Sequence, residues 1–312
     1  MPQRATQTTF HPARIATVVA DDAGQRIDNY LGRLLKGVPK SRVYQMLRRG
    51  EVRINGGRAR PTSRIAAGDA VRIPPVHLDP GRPATGSTQL AQLLESCVLF
   101  ETDDVVVINK PAGVAVHGGS GVSGAVIETL RDARDRPELE LVHRLDRDTS
   151  GCLVVAKKRT ALRRLQGDFR EGRVAKQYVA LVHGRWLRGK LLIDAPLLRR
   201  TRGAERVVTV DPAGVHALTG VDAVRCAGPA SWLRLDLLTG RTHQIRVHLA
   251  HFGHPIVGDD KYGDAGLDET AWRRGVAARM YLHAESVTFP DFSVAAPLPP
   301  SFDLAFSQLA AR

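Results

Sequence analysis

The stretch Leu141-Val-His-Arg-Leu-Asp-Arg-Asp-Thr-Ser-Gly151 decides how this 312-residue chain is understood. It sets one carboxylate, Asp146, after an apolar Leu145 and between Arg144 and Arg147, ahead of a Thr149-Ser150-Gly151 turn. The apolar run Cys152-Leu-Val-Val-Ala156 comes next and has the composition of a buried strand. A carboxylate flanked by arginines at the mouth of such a strand is poised to stay ionised and to meet a polyanion. The same residues admit a plainer account, in which Asp146 and Asp148 form ordinary surface ion pairs with their neighbours.

On the N-terminal side of this stretch, the balance of charge gives a polyanion somewhere to bind. The net charge is +13, and between Gly24 and Pro74 there are 12 Lys and Arg against three acids, a net +9. So lopsided a segment disfavours compactness without an anionic partner, and binding to it should weaken steeply with salt. Charge alone does not separate RNA from DNA or an anionic membrane. Hydrophobic residues make up 43% of the chain, enough for real cores, but only 5% is aromatic, so bases would meet a few placed rings. Cys97, Cys152 and Cys226 lie far apart without metal or disulfide spacing. Neither a signal-like N-terminal segment nor a run of about 18 apolar residues occurs, so a cytoplasmic protein with no membrane contact is expected.

Within the basic segment, Ile27, Leu31, Leu34 and Leu35 have helical spacing. A second short helix is expected from Ser41, with Val43, Met46 and Leu47 on one face and Gly50 at its end. Val52-Arg-Ile54 runs into Asn55-Gly56, a hairpin signal. Residues 1–23 are expected to be a flexible tail or an edge strand, 24–76 a small basic domain, and 77–95 a Pro-, Gly-, Thr- and Ser-rich linker. Residues 96–312 then form the catalytic domain. There, strand-like segments (153–156, 178–183, 233–238, 281–289) and a helix through Leu162, Leu165 and Phe169 alternate irregularly. That argues for a mixed-sheet α+β domain rather than a doubly wound one. The glycine run Gly118-Gly-Ser-Gly121 has neither P-loop spacing nor a following Gly-Lys-Ser/Thr, so no nucleotide cofactor is expected.

Two further motifs stand downstream of the first. They are Ala175-Lys-Gln-Tyr178 and Leu238-Thr-Gly-Arg-Thr-His-Gln-Ile-Arg-Val-His-Leu249. Together, and in this order, the three resemble the signature of the RluA-type RNA pseudouridine synthases. Lys110-Pro-Ala-Gly113 is similar to that family's first motif. The resemblance implies the pseudouridine synthase fold, an extended and largely antiparallel mixed sheet with a central active-site cleft. The basic N-terminal segment resembles the alpha-L RNA-binding motif also found in a ribosomal small-subunit protein. The resemblance also implies an isomerase that converts uridines of 23S rRNA, free or in the assembling large subunit, as a monomer. Lys36-Gly-Val-Pro-Lys-Ser41, Arg48-Arg-Gly-Glu-Val-Arg-Ile-Asn55 and Arg72-Ile-Pro-Pro-Val76 are most similar to the branch acting at several separated 23S sites. A branch directed at a different rRNA helix is the alternative.

The reaction breaks the C1′–N1 bond of a uridine, turns the uracil and rejoins it through C5, with no redox change and no metal or cofactor expected. By resemblance Asp146 is the catalyst, whether it attacks C1′ or C6 or takes a sugar proton. A carboxylate inside a pocket needs a fixed cation. Arg246 matches the family's basic partner, and arginine suits the role because it keeps its proton and forks onto both oxygens; a phosphate contact is the other possibility. Tyr178 matches the tyrosine that stacks on the flipped base, though a lone strand tyrosine is otherwise core. Arg144 matches the arginine that replaces the extruded base in the stack, or is a plain surface residue. Lys176 is cast as structural or phosphate-facing, and Arg241, Lys40, Arg42, Arg48 and Arg49 as RNA contacts. The histidines His243, His248, His251 and His254 invite a zinc reading, but no cysteine or motif-spaced carboxylate completes it. Asp259 and Asp260 are expected only to shape the cleft. A hydrolase of the glycosidase kind would need a second placed acid, and an RNA-binding assembly factor would not need the Asp146, Tyr178 and Arg246 set.

Overall fold

The computed structural model describes residues 9–35, 38, 40–78, 88–118, 124–203 and 205–311. The small N-terminal domain begins with β1 (Thr9–His11), β2 (Arg14–Thr17) and a 3₁₀ turn at Ala20–Asp22. Helices α1 (Ile27–Leu34) and α2 (Lys40–Arg49) come after it. Then come β3 (Arg53–Ile54), β4 (Gly57–Arg58), β5 (Ala70–Ile73) and β6 (Val76–Leu78). Ile27, Tyr30 and Leu31 of α1 and Val43, Met46 and Leu47 of α2 are spaced three and four apart, so each set lines one helix face. Both faces bury against Val52, Ile65, Val71 and Ile73. The sheet runs β2-β5-β3-β4, with the β3–β4 hairpin closed at Asn55-Gly56 as its sequence predicts.

Of the two readings of the N-terminal residues, the edge strand is what forms at 14–17: they pair with Ala70–Ile73 at the edge of the small sheet, and Val18 is buried in the small core. One expectation changes here. Residues 88–96 are not linker: they form α3 (Thr88–Ser96), because Leu90 and Leu94 lie one turn apart and pack on the catalytic core. Residues 1–8, residues 79–87 of the expected linker and residues 119–123 of the glycine run lie outside the described residues.

The catalytic domain continues with β7 (Val98–Glu101), β8 (Val105–Lys110), α4 (Val126–Ala133), β9 (Glu140–Leu141), β10 (Ser150–Ala156) and α5 (Arg159–Arg170). Next come β11 (Ala175–His183), β12 (Leu191–Asp194), β13 (Leu197–Arg202), β14 (Glu205–Val210), β15 (Leu218–Ala227) and β16 (Ala230–Leu237). Helices α6 (Gln244–His251) and α7 (Ala265–Arg273), strands β17 (Leu282–Thr288) and β18 (Ser293–Ala295), and α8 (Ser301–Ala310) complete it. Ten strands form one sheet in the order β12-β15-β16-β11-β17-β10-β8-β7, with β18 on β17 and β9 on β10. Among the described residues only β10 and β17 pair in parallel; the expected mixed, largely antiparallel sheet is what forms.

Both faces of this sheet are covered, and the period of two sorts its side chains. Leu153 and Val155 enter one core with Ile108, Leu130 and Leu249, whereas Cys152, Val154 and Ala156 enter the opposite one with Leu162 and Leu165. Where β10 meets β17, Gly151 (φ 108°) lies opposite Ala284, and a Cβ there would stand 2.2 Å from the Ala284 carbonyl oxygen. Only glycine lets the two strands close, and the Asp146 loop enters the sheet at that junction. Outside the main sheet, β13 and β14 form a separate hairpin that packs on α6 through Leu197, Val208 and Val247.

Candidate active site

The loop from Leu141 to Thr149 connects β9 to β10 and is held from below at several points. His143 accepts the Val154 N–H on Nε2 at 3.1 Å, and burial pushes its pKa down to about 4, so it stays a neutral acceptor. Leu145 is buried in the core beneath. Lys110, at the end of β8, is 0% exposed, and its Nζ donates to the carbonyls of Pro111 (2.7 Å), Val114 (2.8 Å) and Arg147 (2.8 Å). Burial pushes this amine down to about 7, while Asp148 and Asp146 act to hold its charge. One buried cation thus ties the Lys-Pro-Ala-Gly turn to the residue next to Asp146.

The second half of the site comes from α6. Its entry is fixed by Gln244, whose side-chain oxygen accepts from Arg241 N (3.0 Å) and Thr239 Oγ1 (2.8 Å) while its amide donates to Leu218 O and Thr219 Oγ1. One short step along the helix, Arg246 is 6% exposed and makes three kinds of contact. Its Nη1 donates to Asp146 Oδ2 at 3.1 Å, and its Nε and Nη2 fork onto Asp259 at 2.7 Å each. The guanidinium also lies 5.1 Å from the centroid of the Tyr262 ring. Burial works against the Arg246 charge, but Asp259 and Asp146 outweigh it and hold the guanidinium protonated. Asp259 accepts from the backbone N–H groups of Lys261 and Tyr262 as well, at 3.0 Å each. Burial would raise this carboxyl; Arg246 and those N–H groups hold it below its usual range. The turn that carries it requires Gly258 (φ 76°), where a Cβ would sit 1.9 Å from Arg279 O.

Asp146, Tyr178, Arg246, Arg144 and Arg241 all line one cavity of about 230 Å³, with Leu282 among its apolar lining. Since about 150 Å³ holds a benzene-sized ring, the space fits one pyrimidine. Tyr178 comes from β11, and burial followed by the Asp146 charge raises its hydroxyl pKa, so the phenol is neutral. Among the described residues Asp146 is the sole carboxylate lining the cavity. Arg144 stands exposed at its mouth, and Arg241 is anchored by Nε to His216 O at 3.0 Å.

Not every expected residue arrives there. The pairing of β11 with β17 shifts register between Gln177 and Tyr178. Lys176, before the shift, lies 5.7 Å from the Phe169 ring centroid with its pKa lowered by burial, and it is not part of the cavity wall. Arg48 and Arg49 are exposed on α2, and Arg42 and Arg49 face Glu51 at 3.6 and 3.9 Å. The Lys40 side chain lies outside the described residues. The zinc alternative loses its helical pair, because His248 bonds Thr219 Oγ1 and Ala195 O through its two ring nitrogens, each at 2.9 Å. Among the described residues no group of three or more His, Cys, Asp or Glu is placed to hold a metal ion, and no helix is long and apolar enough to cross a membrane.

Other residues enter the site in roles that the sequence did not assign them, and Arg199 enters it without having been singled out at all. Asp259 is the main anchor of Arg246 rather than a mere turn residue; Arg246 lying thirteen positions before an acid offered no local signal. Arg199 of β13 reaches the cavity and bonds Thr242 Oγ1. His243 also lines it, hydrogen-bonded to Tyr262. Lys110 could have been suspected from its motif, but its burial could not.

Comparison with known proteins agrees with this geometry. Residues 104–251 match the family described as RNA pseudouridylate synthase, and residues 25–71 match the S4 domain. The ribosomal large subunit pseudouridine synthase C of Pasteurella multocida is 48% identical over 294 residues, covering 93% of this chain and 90% of that protein. Its namesake from Escherichia coli K12 is 47% identical over 288 residues, covering 91% and 90%. Among solved structures, human RNA pseudouridylate synthase domain containing 4 superposes with a TM-score of 0.60 at 25% identity, over 71% of this chain and 95% of that one. Human RNA pseudouridylate synthase domain containing 1 gives 0.57 at 31% identity, over 67% and 86%. The chain belongs to the RNA pseudouridylate synthase family, with an S4 domain ahead of its catalytic domain.

Proposed function

We propose that this protein isomerises uridines of large-subunit (23S) ribosomal RNA to pseudouridine, with Asp146 as its catalytic carboxylate. The observation that carries the proposal is a single carboxylate facing a base-sized cavity and hydrogen-bonded to a buried arginine at 3.1 Å. A glycosidase-type hydrolysis needs two carboxyl groups across the scissile bond, whereas an isomerisation that keeps the base in the pocket does not. The relatives' names support the choice of large-subunit rRNA.

In this scheme the target uridine leaves its helix and enters the cavity. Arg144 at the mouth takes its place in the stack, where a planar guanidinium both stacks and hydrogen-bonds. Tyr178 offers the extruded ring a new face, worth about 1–3 kcal/mol. Asp146, oriented by Arg246, then acts at the sugar or base as the C1′–N1 bond breaks. The uracil turns, C5 bonds to C1′, the C5 proton leaves to solvent, and the freed N1 takes up a proton in exchange. Arg241 and Arg199 contact the phosphates beside the cavity, and Lys40, Arg42, Arg48 and Arg49 of the small domain bind the rRNA further out. Lys176, set against Phe169, is structural. The proposed enzyme is a cytoplasmic monomer that needs no metal and no nucleotide.

The test is to incubate the purified protein with 23S rRNA transcripts and map pseudouridine at single-nucleotide resolution, alongside 16S rRNA. New pseudouridine at a few discrete 23S positions is the expected result. Modification confined to 16S rRNA, or none at all, would overturn the proposal.

A further inference from the structure

His243 stands immediately before α6 in the left-handed backbone region (φ 55°). Among the described residues only Asn55 and Asp135 share a positive φ without being glycine. Asparagine and aspartate adopt that conformation readily; a bulkier residue does so at a cost, and such strain concentrates at functional positions. The backbone here aims the imidazole into the catalytic cavity.

Three contacts then fix which nitrogen carries its proton. Nδ1 lies 2.8 Å from the Tyr262 hydroxyl, and that hydroxyl accepts the Val208 N–H at 3.1 Å. Val208 already donates to the phenol oxygen and the Asp146 carboxylate faces Nε2, so the arrangement in which the phenol donates to Nδ1 is the one that leaves no two acceptors facing each other. A neutral imidazole that accepts on Nδ1 holds its hydrogen on Nε2. Nε2 is the atom facing Asp146, 3.8 Å from Oδ1, while Arg246 holds the other oxygen, Oδ2. Burial, with Arg246 and Lys261 nearby, disfavours the imidazolium against the pull of Asp146 and Asp259, so the neutral form is the working one.

We propose that His243 is a positioning residue for Asp146: Tyr262 sets it as the Nε2–H tautomer, and it closes on Oδ1 when a uracil fills the cavity, so that the carboxylate is gripped at both oxygens. This rests on the isomerase reading and extends it. The distance of 3.8 Å is too long for a hydrogen bond and short enough for a small movement to make one. With both oxygens held, the carboxylate plane cannot swing about the single Arg246 contact as the uracil turns.

Four variants test this by single-turnover pseudouridine formation, RNA affinity and thermal unfolding. His243→Gly relieves the backbone strain, so its melting temperature should match or exceed that of the wild type. Its rate should still fall by about 100-fold, the scale of a misplaced reacting group, with RNA affinity held within about threefold. His243→Gln keeps a side-chain N–H and should recover to within about tenfold of wild type. Tyr262→Phe keeps the ring beside Arg246 but frees the tautomer, and should cost about tenfold in the wild-type background. In the His243→Gln background, which has no tautomer to set, the same change should cost less than about twofold, the non-additivity expected of two residues in one hydrogen-bond network. A stable His243→Gly protein with wild-type rate, or equal Tyr262→Phe costs in both backgrounds, overturns the inference while leaving the isomerase reading intact. A wild-type protein that forms no pseudouridine overturns that reading and the inference with it.

Discussion

Replacing Arg246 by lysine conserves the charge and removes the fork, which makes it the sharpest perturbation of the site. Arg246 donates twice to Asp259 at 2.7 Å and once to Asp146 at 3.1 Å, from a side chain that is 6% exposed. An ammonium is a compact point charge and cannot reach both carboxylates in that geometry. Hydrogen bonds to charged groups contribute about 1.5–3 kcal/mol each, so losing the Asp146 bond and one of the two Asp259 bonds removes about 3–6 kcal/mol of interaction. Lysine should settle on Asp259, whose side chain is 1% exposed and cannot be left unpaired. The Asp146 contact is then the one abandoned. Stability should fall by about 2–3 kcal/mol and the single-turnover rate by about 100-fold, the equivalent of about 2.7 kcal/mol in the barrier. The assay is tritium release from RNA carrying 5-tritiated uridine, beside denaturant unfolding of the same preparation. An Arg246→Lys protein within a factor of about three of the wild-type rate would refute the claim that the fork organises the site.

Lys110→Met should destabilise by about 3 kcal/mol or more, since three carbonyls lose their donor in a dry interior; chemical denaturation measures it. The folded-state pKa of Lys110 (about 7) lies below its ordinary 10.5, so the unfolded chain binds the extra proton between those values and stability contributed there rises as pH rises from 7 to 10. The wild-type minus Lys110→Met difference across that window should show the slope, and a flat difference would contradict it. Tyr178→Ala should slow turnover far more than it weakens RNA binding, because one stacked base is a small part of a highly charged interface; equal losses would make Tyr178 a core residue only. Arg48→Ala with Arg49→Ala should make the plot of log affinity against log salt shallower by about 1.4, at about 0.7 for each phosphate no longer neutralised; an unchanged slope would remove α2 from the RNA interface.

The sequence carried the outline of this site because three motifs, 100 residues apart from Asp146 to Arg246, keep their residue types and order. The continuous apolar runs of β10 and β11, the paired apolar faces of α1 and α2, and the Asn55-Gly56 turn were equally legible, since each is a local feature of the sequence. The features that stayed hidden depend on contacts across the fold. Asp259 looks like a turn acid until the turn brings it under Arg246. Lys110 looks like a surface lysine until β8 and the Asp146 loop close around its amine. Simple alternation puts Lys176 beside Tyr178, and a register shift against β17 leaves it on Phe169 instead. Helix α3 is masked by the Pro- and Gly-rich residues before it, although Leu90 and Leu94 already have helical spacing. The β13–β14 hairpin, which brings Arg199 to the cavity, has an arginine-rich sequence with no strand alternation to detect.

Asp146 is the residue on which the proposed chemistry most directly depends, and Asp146→Asn keeps its shape while removing its charge. The decisive measurement is tritium release under single-turnover conditions, with the variant in excess over 5-tritiated 23S rRNA and binding of the same RNA measured in parallel. Binding should stay within about threefold of the wild type while the rate falls by at least about 10⁴-fold, the loss of a barrier contribution of about 5 kcal/mol. Tritium release by Asp146→Asn at more than about a hundredth of the wild-type rate would contradict the assignment of Asp146 as the catalytic carboxylate.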